Sequence, residues 1–195
     1  MASFGDGIDW NNEAVRAASE TEHEHNMGGV RAVALELVQQ LAAVGCTGGR
    51  LLDCGCNIAR YCPPLREAGF EYVGVDQAPK ALQIAKWRYP GVEFVASMLW
   101  DMKFDKPFDV AISMAVLQHN LRDEKKRILA RIAEAVRPGG YFAMQESTVL
   151  EETRTQLRQE QWIALVEGSG FRMLSGWHPN PEYGVHDAYL FQRGA

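Results

Sequence analysis

Several features that mark other protein classes are missing from this sequence of 195 residues. The formal net charge is −5, and the densest basic run, Lys125-Lys126-Arg127, lies beside two acidic residues. We interpret this run as a solvated helix face, and the lack of a basic cluster argues against a nucleic-acid partner. No apolar run approaches the roughly 18 residues of a membrane span, and no signal segment is visible at the N-terminus. We therefore expect no membrane partner and a cytoplasmic location.

Cysteine pairs and metal-ligand spacings are also lacking. The four cysteines include no C-x-x-C pair, and free thiols in a core fit a reducing compartment better than a disulfide framework. His23 and His25 lie two residues apart, so on a helix they point to different faces and are poorly placed to share an ion. No other group of histidines and carboxylates has the spacing of a metal site, and we predict metal-independent chemistry.

The sequence contains a regular alternation of strand and helix patterns. An apolar stripe at helical spacing predicts a helix over 30–44, formed by Val30, Val33, Leu37, Leu41 and Val44. Strands are predicted at 50–54, 72–75, 92–95, 108–113, 141–145, 171–177 and 187–192, with helices over 58–68, 79–88, 122–136 and 153–168. The alternation indicates a parallel sheet, and the last strand is expected to run antiparallel because no helix precedes it.

Two motifs at the ends of the first two strands predict a site for an adenosine-containing ligand. Residues 53–59 follow the first strand and open a helix pattern, which brings backbone N–H groups and a helix N-terminus toward a ligand. In this loop Gly55 permits close approach, and Asn57 tolerates a positive φ. Asp76 ends the second strand, where a carboxylate can accept hydrogen bonds from both hydroxyls of a ribose.

Residues 50–146 resemble the class I S-adenosylmethionine-dependent methyltransferases, above all those that act on small molecules. The resemblance lies in Leu51-Leu52-Asp53-Cys54-Gly55-Cys56, Gly74-Val75-Asp76, Phe108-Asp109-Val110 and Arg137-Pro138-Gly139-Gly140-Tyr141. It implies an α/β Rossmann-like fold with a seven-stranded, mostly parallel sheet in the order 3-2-1-4-5-7-6, an antiparallel strand seven, and helices on both faces. It also implies S-adenosylmethionine as cofactor and S-adenosylhomocysteine as product. Residues 1–45 would form a helical cover over the cofactor, and 46–195 the methyltransferase domain.

The same resemblance assigns the cofactor contacts. Asp53 would orient the loop and reach the ammonium group of the cofactor, while Asp76 would hold the ribose with Gln77 beside the adenine. Ala59 stands where a third glycine is usual, so its Cβ is expected to crowd the following helix against the strand or the cofactor. The remaining contacts would come from Ser97 and Met98 at the adenine edge and from Gly55, Cys56, Asn57, Arg60 and Met114 around the ribose and methionine portions.

Two residues after strands four and five are candidates for catalysis. His119 is the first candidate general base, because an imidazole can take a proton near neutral pH. The alternative is that His119 packs over the cofactor or caps the helix that starts near Arg122. Glu146 could bind a cationic acceptor or act as base, or it could form a structural hydrogen bond to a neighbouring loop.

The acceptor itself is not defined by the sequence. The loop 177–187 carries aromatic residues and histidines and forms either an acceptor pocket or a cover for the sheet edge, while Trp10, His25 and Arg31 are candidate lid residues. We predict methyl transfer to oxygen or nitrogen of a small-molecule acceptor, which is either bulky or enclosed by the N-terminal helix and the second subunit of a homodimer. Two alternatives stay open: a regulatory or partner protein that only binds the cofactor, and a lyase or cyclase reaction on it.

Overall fold

The structure, a computed structural model, describes residues 29–148, 153–178 and 186–195. Its sheet has seven strands in the order β3-β2-β1-β4-β5-β7-β6. The strands are β1 (Gly49–Cys54), β2 (Phe70–Asp76), β3 (Glu93–Ala96), β4 (Phe108–Met114), β5 (Val136–Ser147), β6 (Phe171–Trp177) and β7 (His186–Arg193). Strands β1 to β5 pair in parallel, and β7 pairs antiparallel with both β5 and β6. The predicted order and the antiparallel last strand are confirmed.

Helices cover both faces of this sheet. Successive strand residues point to opposite sides, and the apolar residues on each side are buried against helices. Leu51 packs in a core with α1, α2 and α3, whereas Leu52 packs in a second core with α4 and α5. Among the described residues, no helix is long and apolar enough to cross a membrane. The helices are α1 (29–43), α2 (Cys62–Glu67), α3 (Pro79–Arg88), α4 (Arg122–Ala135) and α5 (Gln159–Glu167), with a 3₁₀ helix at Leu117–His119.

Helix α1 belongs to the core of the sheet. Leu37 and Leu41 are fully buried, as the apolar stripe predicted, and they pack with residues of β1 and β2. Arg31, a candidate lid residue, forms an exposed ion pair of 2.8 Å with Glu67 on α2. Trp10, His23 and His25 lie outside the described residues. The described part of the predicted cover therefore packs on the sheet, and its role over a cofactor stays a prediction.

Helix α2 begins four residues later than the predicted start at 58. Asn57 and Ala59 have φ values of 49° and 61°, and a residue in this left-handed region cannot continue a right-handed helix. The helix starts at Cys62, and prolines occupy its first turn, where proline is well tolerated. An irregular loop, rather than a helix N-terminus, consequently follows β1.

Helix α5 also begins later than predicted, at Gln159 instead of about 153. A local turn takes up the preceding residues, since the Gln156 amide donates to the Thr153 hydroxyl at 2.9 Å. Leu157 then forms an isolated parallel bridge with Thr148. The backbone amide of Arg158 donates to the side chain of Gln161 at 2.9 Å, which marks the start of the helix.

The interpretation of the basic run on α4 was wrong for one residue. Lys126 is exposed and pairs with Asp123 at 3.1 Å, as expected for a solvated face. Lys125 is fully buried, because its position on the helix turns it toward the core that contains Trp162. Charge sign alone could not show this, since the mixed-sign pattern places no residue on a particular face.

All four cysteines are buried and free. Cys54 ends β1 in the core beside α4, and Cys56 lies in the opposite core. Burial raises the pKa of both thiols well above its ordinary value. The prediction of unpaired core thiols is confirmed.

Candidate functional site

A cavity of about 480 Å³ lies at the carboxyl edge of the sheet. Parallel α/β sheets bind ligands at this edge, and the volume lies within the usual range for small-molecule sites. Seven residues predicted for the site line it, namely Gly55, Asn57, Arg60, Asp76, Gln77, Met114 and His119.

The loop after β1 approaches the segment after β4 very closely. The amides of Gly55 and Cys56 donate to the carbonyl of Val75 at 2.8 and 3.1 Å, which fixes the loop on β2. Gly55 has a φ of 81°, and a Cβ at this position would lie 2.6 Å from Cγ1 of Val116. Glycine is therefore required here on both conformational and steric grounds. Cys56 points into the core and does not line the cavity.

Asp76 is the acidic centre of the cavity wall. Its two carboxylate oxygens accept hydrogen bonds from the amides of Asn57 and Ala78, each at 2.8 Å. Burial raises the pKa of Asp76, while these amide bonds act in the opposite direction. Each oxygen retains capacity for another hydrogen bond, so the carboxylate can still accept from ligand hydroxyl groups.

Asn57 also lines the cavity, and its side chain carries an acceptor that is not used. Its Oδ1 atom is buried and has no hydrogen-bond partner within the described ranges. An unpaired buried acceptor costs free energy, which a ligand with a hydroxyl or ammonium donor would recover. Asp76 and Asn57 together thus fit a ligand that presents several donors, as a ribose does.

Asp53 lies behind the loop instead of in the cavity wall. It is almost fully buried, and the hydroxyl of Tyr72 donates to its carboxylate. Burial raises the pKa of Asp53 to about 7, with a smaller opposing effect of the Tyr72 hydrogen bond. This placement is consistent with orienting the loop, and contact with a ligand ammonium group stays a prediction.

The wall after β3 is formed by Leu99 and Trp100, whereas Ser97 and Met98 do not line the cavity. The hydroxyl of Ser97 donates to the carbonyl of Met98 at 2.9 Å and is thus bonded locally. A turn closed by the Asp101 amide on the Met98 carbonyl brings the next two side chains to the cavity. The lining residues that sequence reasoning missed are Leu99, Trp100, Ala115, Val116, Gln118, Asn120 and Ile128. Their common signal is position just after β3 or β4, apart from Ile128 on α4.

Glu146 does not line the cavity. It is fully buried at the end of β5 and accepts hydrogen bonds at 3.0 Å from the amides of Leu117 and Gln118 and from the hydroxyl of Ser113. Burial raises its pKa to about 7, although all these donors favour the charged form. The geometry matches the structural alternative: Glu146 supports the segment that does line the cavity.

Two basic side chains line the cavity, Arg60 and His119. The Nε2 atom of His119 lies 3.4 Å from Nε2 of Gln118. Arg60 makes no hydrogen bond or ion pair with another described residue, so its guanidinium can bind an anionic ligand group. Because His119 lines the cavity, it stays a candidate base.

The loop 177–187 is described only at its two ends. Asp187 accepts from Nδ1 of His178 at 2.6 Å and from the hydroxyl of Thr148 at 2.7 Å. Trp177 packs against the core of the α1 face. Residues 179–185 lie outside the described residues, so the predicted acceptor pocket in this loop stays a prediction. Within the described part of the chain, no group of three His, Cys, Asp or Glu side chains could hold a metal ion.

The known proteins that this chain resembles are methyltransferases. A protein-family model described as a methyltransferase domain matches residues 52–144. The chain is 32% identical over 107 residues to a demethylmenaquinone methyltransferase of Renibacterium salmoninarum, covering 53% of this chain and 44% of the relative. It is 29% identical over 98 residues to an uncharacterised methyltransferase of Synechocystis, covering 50% of this chain and 46% of the relative. The chain thus spans a little under half the length of these curated relatives.

Among solved structures, the fold is similar to that of a 1,6-didemethyltoxoflavin N1-methyltransferase from Burkholderia thailandensis. The TM-score is 0.74 at 20% identity, and the superposition covers 91% of this chain and 84% of the other. That protein was crystallised with 1,6-didemethyltoxoflavin and S-adenosylhomocysteine. At this level of identity the similarity establishes the shared fold.

Proposed function

Because the chain belongs to the class I S-adenosylmethionine-dependent methyltransferases, we propose that it transfers a methyl group to an oxygen or nitrogen of a small-molecule acceptor. The observation that carries this proposal is the cavity at the carboxyl edge, where the Asp76 carboxylate accepts a hydrogen bond from the backbone amide of Asn57 and both residues line the wall. The matched curated relatives and the toxoflavin enzyme have names that describe methyl transfer, and two of those names state a small molecule.

We propose one orientation for S-adenosylmethionine in this cavity. Asp76 and Asn57 would receive the ribose hydroxyls, since both present acceptors at the end of β2 and in the loop it holds. Gln77, Leu99 and Trp100 would surround the adenine on the β3 side. The methionine portion would then extend past Gly55 toward β4, where the Arg60 guanidinium can bind its carboxylate.

The protein's own contribution to the reaction would be mainly alignment. When bound, S-adenosylmethionine supplies an electrophilic methyl group on a sulfonium. The positive charge on sulfur is lost during the transfer, so the leaving group needs no Lewis acid, and we propose a metal-independent reaction. Met114 would border the methionine portion of the cofactor, and the segment 115–120 would hold the acceptor in line with this methyl group, because proximity and orientation supply much of the rate enhancement.

His119 is the proposed base for acceptors that must lose a proton. It lines the cavity in the 3₁₀ helix after β4, and β1 lies between β4 and β2, the strand that ends in Asp76. We do not assign proton transfer to Glu146, since its carboxylate is enclosed and occupied by backbone amides. Glu146 would act through the segment that it supports.

The proposal is tested by incubating the protein with S-adenosylmethionine and a panel of phenol, quinol, carboxylic acid and amine acceptors. S-adenosylhomocysteine formed together with a methylated acceptor is the expected result, and Asp76→Ala should abolish it. Methylthioadenosine as the product would indicate lyase chemistry instead. Tight cofactor binding without turnover of any acceptor would favour a binding protein.

A further inference from the structure

Lys125 is a fully buried cation that the proposed reaction does not use. Its Nζ donates to the backbone carbonyls of Asn120 and Thr155, the latter at 2.6 Å, and lies 5.3 Å from the centroid of the Trp162 ring. Lysine is almost never fully buried unless it is paired, because removing its charge from water is costly. The role of Lys125 therefore follows from the groups that its Nζ binds.

The segment 116–120, which we call the acceptor wall, is held from behind by buried charges at both of its ends. Glu146 accepts hydrogen bonds from the amides of Leu117 and Gln118, each at 3.0 Å. Lys125 donates to the carbonyl of Asn120 at the other end. The side chain of Asn120 closes the unit by donating to the carbonyl of Val116 at 3.0 Å.

The carboxylate of Glu146 also favours the charged form of Lys125. Burial lowers the pKa of Lys125 to about 8, and the carboxylate of Glu146 acts in the opposite direction. An ionised carboxylate is an acceptor only, which suits the amides and the Ser113 hydroxyl that bind Glu146.

We propose that Lys125 is a positioning residue that, together with Glu146, fixes the acceptor wall and couples it to Thr155 in the segment after β5. Val116, Gln118, His119 and Asn120 of this wall line the cavity, so their placement sets the geometry offered to an acceptor. The inference rests on the proposed function only in naming this segment the acceptor wall. The hydrogen bonds that carry it are independent of any ligand.

Amide hydrogen exchange in the full-length, ligand-free protein tests the proposal directly. In Lys125→Met, the amides of Leu117 and Gln118 are expected to exchange about tenfold faster or more, because local opening becomes easier. The amide of Val73 in β2 should change by less than about twofold. Lys126→Met is the matched control, since Lys126 is the exposed neighbour on the same helix, and it should leave all three amides unchanged.

Two further measurements separate positioning from general support of the core. The dissociation constant for S-adenosylhomocysteine should stay within about threefold in Lys125→Met, because the proposed cofactor contacts lie outside the acceptor wall. Lys125→Arg, which keeps the charge and the donors, should restore the slow exchange. If Lys125→Met does not fold, Lys125→Gln keeps a donor without the charge and should show an intermediate exchange rate.

Unchanged exchange at Leu117 and Gln118 would overturn the proposal. An equal increase at Val73 would overturn it as well, because it would show that Lys125 only stabilises the whole fold. Failure of the unmodified protein to bind S-adenosylhomocysteine would instead contradict the proposed function, and the exchange rates would still decide the role of Lys125.

Discussion

Ala59 and Ala115 have left-handed backbone conformations, with φ values of 61° and 58°. An L-residue with a Cβ pays about 1–2 kcal/mol to adopt this conformation, a cost that glycine avoids. The two positions differ in environment, since Ala59 is fully buried in the core beside α2 and Ala115 is exposed. Replacing each by glycine therefore separates backbone strain from packing.

The expected magnitudes follow from this difference. In both variants, relief of strain is opposed by about 0.4–1 kcal/mol, because glycine makes the unfolded chain more flexible. Ala59→Gly also loses one buried methyl group, worth about 0.8 kcal/mol. We expect Ala115→Gly to raise the free energy of unfolding by roughly 0.5–1 kcal/mol and Ala59→Gly to leave it nearly unchanged.

Urea unfolding followed by circular dichroism measures both changes, and the midpoint of thermal unfolding should rise by about 2–4 °C per kcal/mol for a chain of this size. A destabilised Ala115→Gly would refute the strain argument. A gain for Ala59→Gly larger than that for Ala115→Gly would refute the packing argument. Affinity for S-adenosylhomocysteine should be unchanged in Ala59→Gly, since Ala59 does not line the cavity.

Three further predictions concern charged groups. Burial raises the pKa of Asp53 to about 7, so between about pH 4 and pH 7 the folded protein keeps a proton that the unfolded chain has released. The free energy of unfolding should therefore fall as the pH rises through this range. Asp53→Asn should make this fall less steep in urea titrations, and an unchanged slope would contradict the raised pKa of Asp53. Arg60→Met should weaken S-adenosylhomocysteine binding about tenfold or more but leave 5′-methylthioadenosine, which lacks the carboxylate, unaffected in calorimetry; equal losses would exclude a carboxylate contact. His119→Ala should lower kcat about 10²–10⁴-fold for a hydroxyl acceptor without changing cofactor affinity, whereas an unchanged kcat would remove His119 as base.

Sequence periodicity predicted the sheet well, because strand and helix residues are buried in different patterns. The consecutive residues Leu51 and Leu52 of β1, for example, belong to cores on opposite faces. The late starts of α2 and α5 were not predictable in the same way. They depend on the positive φ of Ala59 and on a turn at Thr153, and neither residue type signals such a conformation.

The sequence indicated residues that line the cavity where such a residue lies at the carboxyl end of its own strand. Asp76 is the last residue of β2 and Gly55 directly follows β1, and both line the cavity. Prediction was less successful where a turn decides which side chain points inward, as at Leu99 and Trp100. The buried role of Lys125 could not be inferred either, since its partners are backbone carbonyls that only the folded chain brings together.

The central claim is that the cavity binds S-adenosylmethionine through the Asp76 carboxylate. Calorimetric titration with S-adenosylhomocysteine tests it most directly, with Asp76→Ala as the perturbation and Asp101→Ala, an exposed carboxylate in the turn after β3, as the matched control. Circular dichroism would confirm that both variants fold. Micromolar binding that is lost in Asp76→Ala and kept in Asp101→Ala is the predicted result. Absence of binding to the unmodified protein, or equal binding by Asp76→Ala, would contradict the claim.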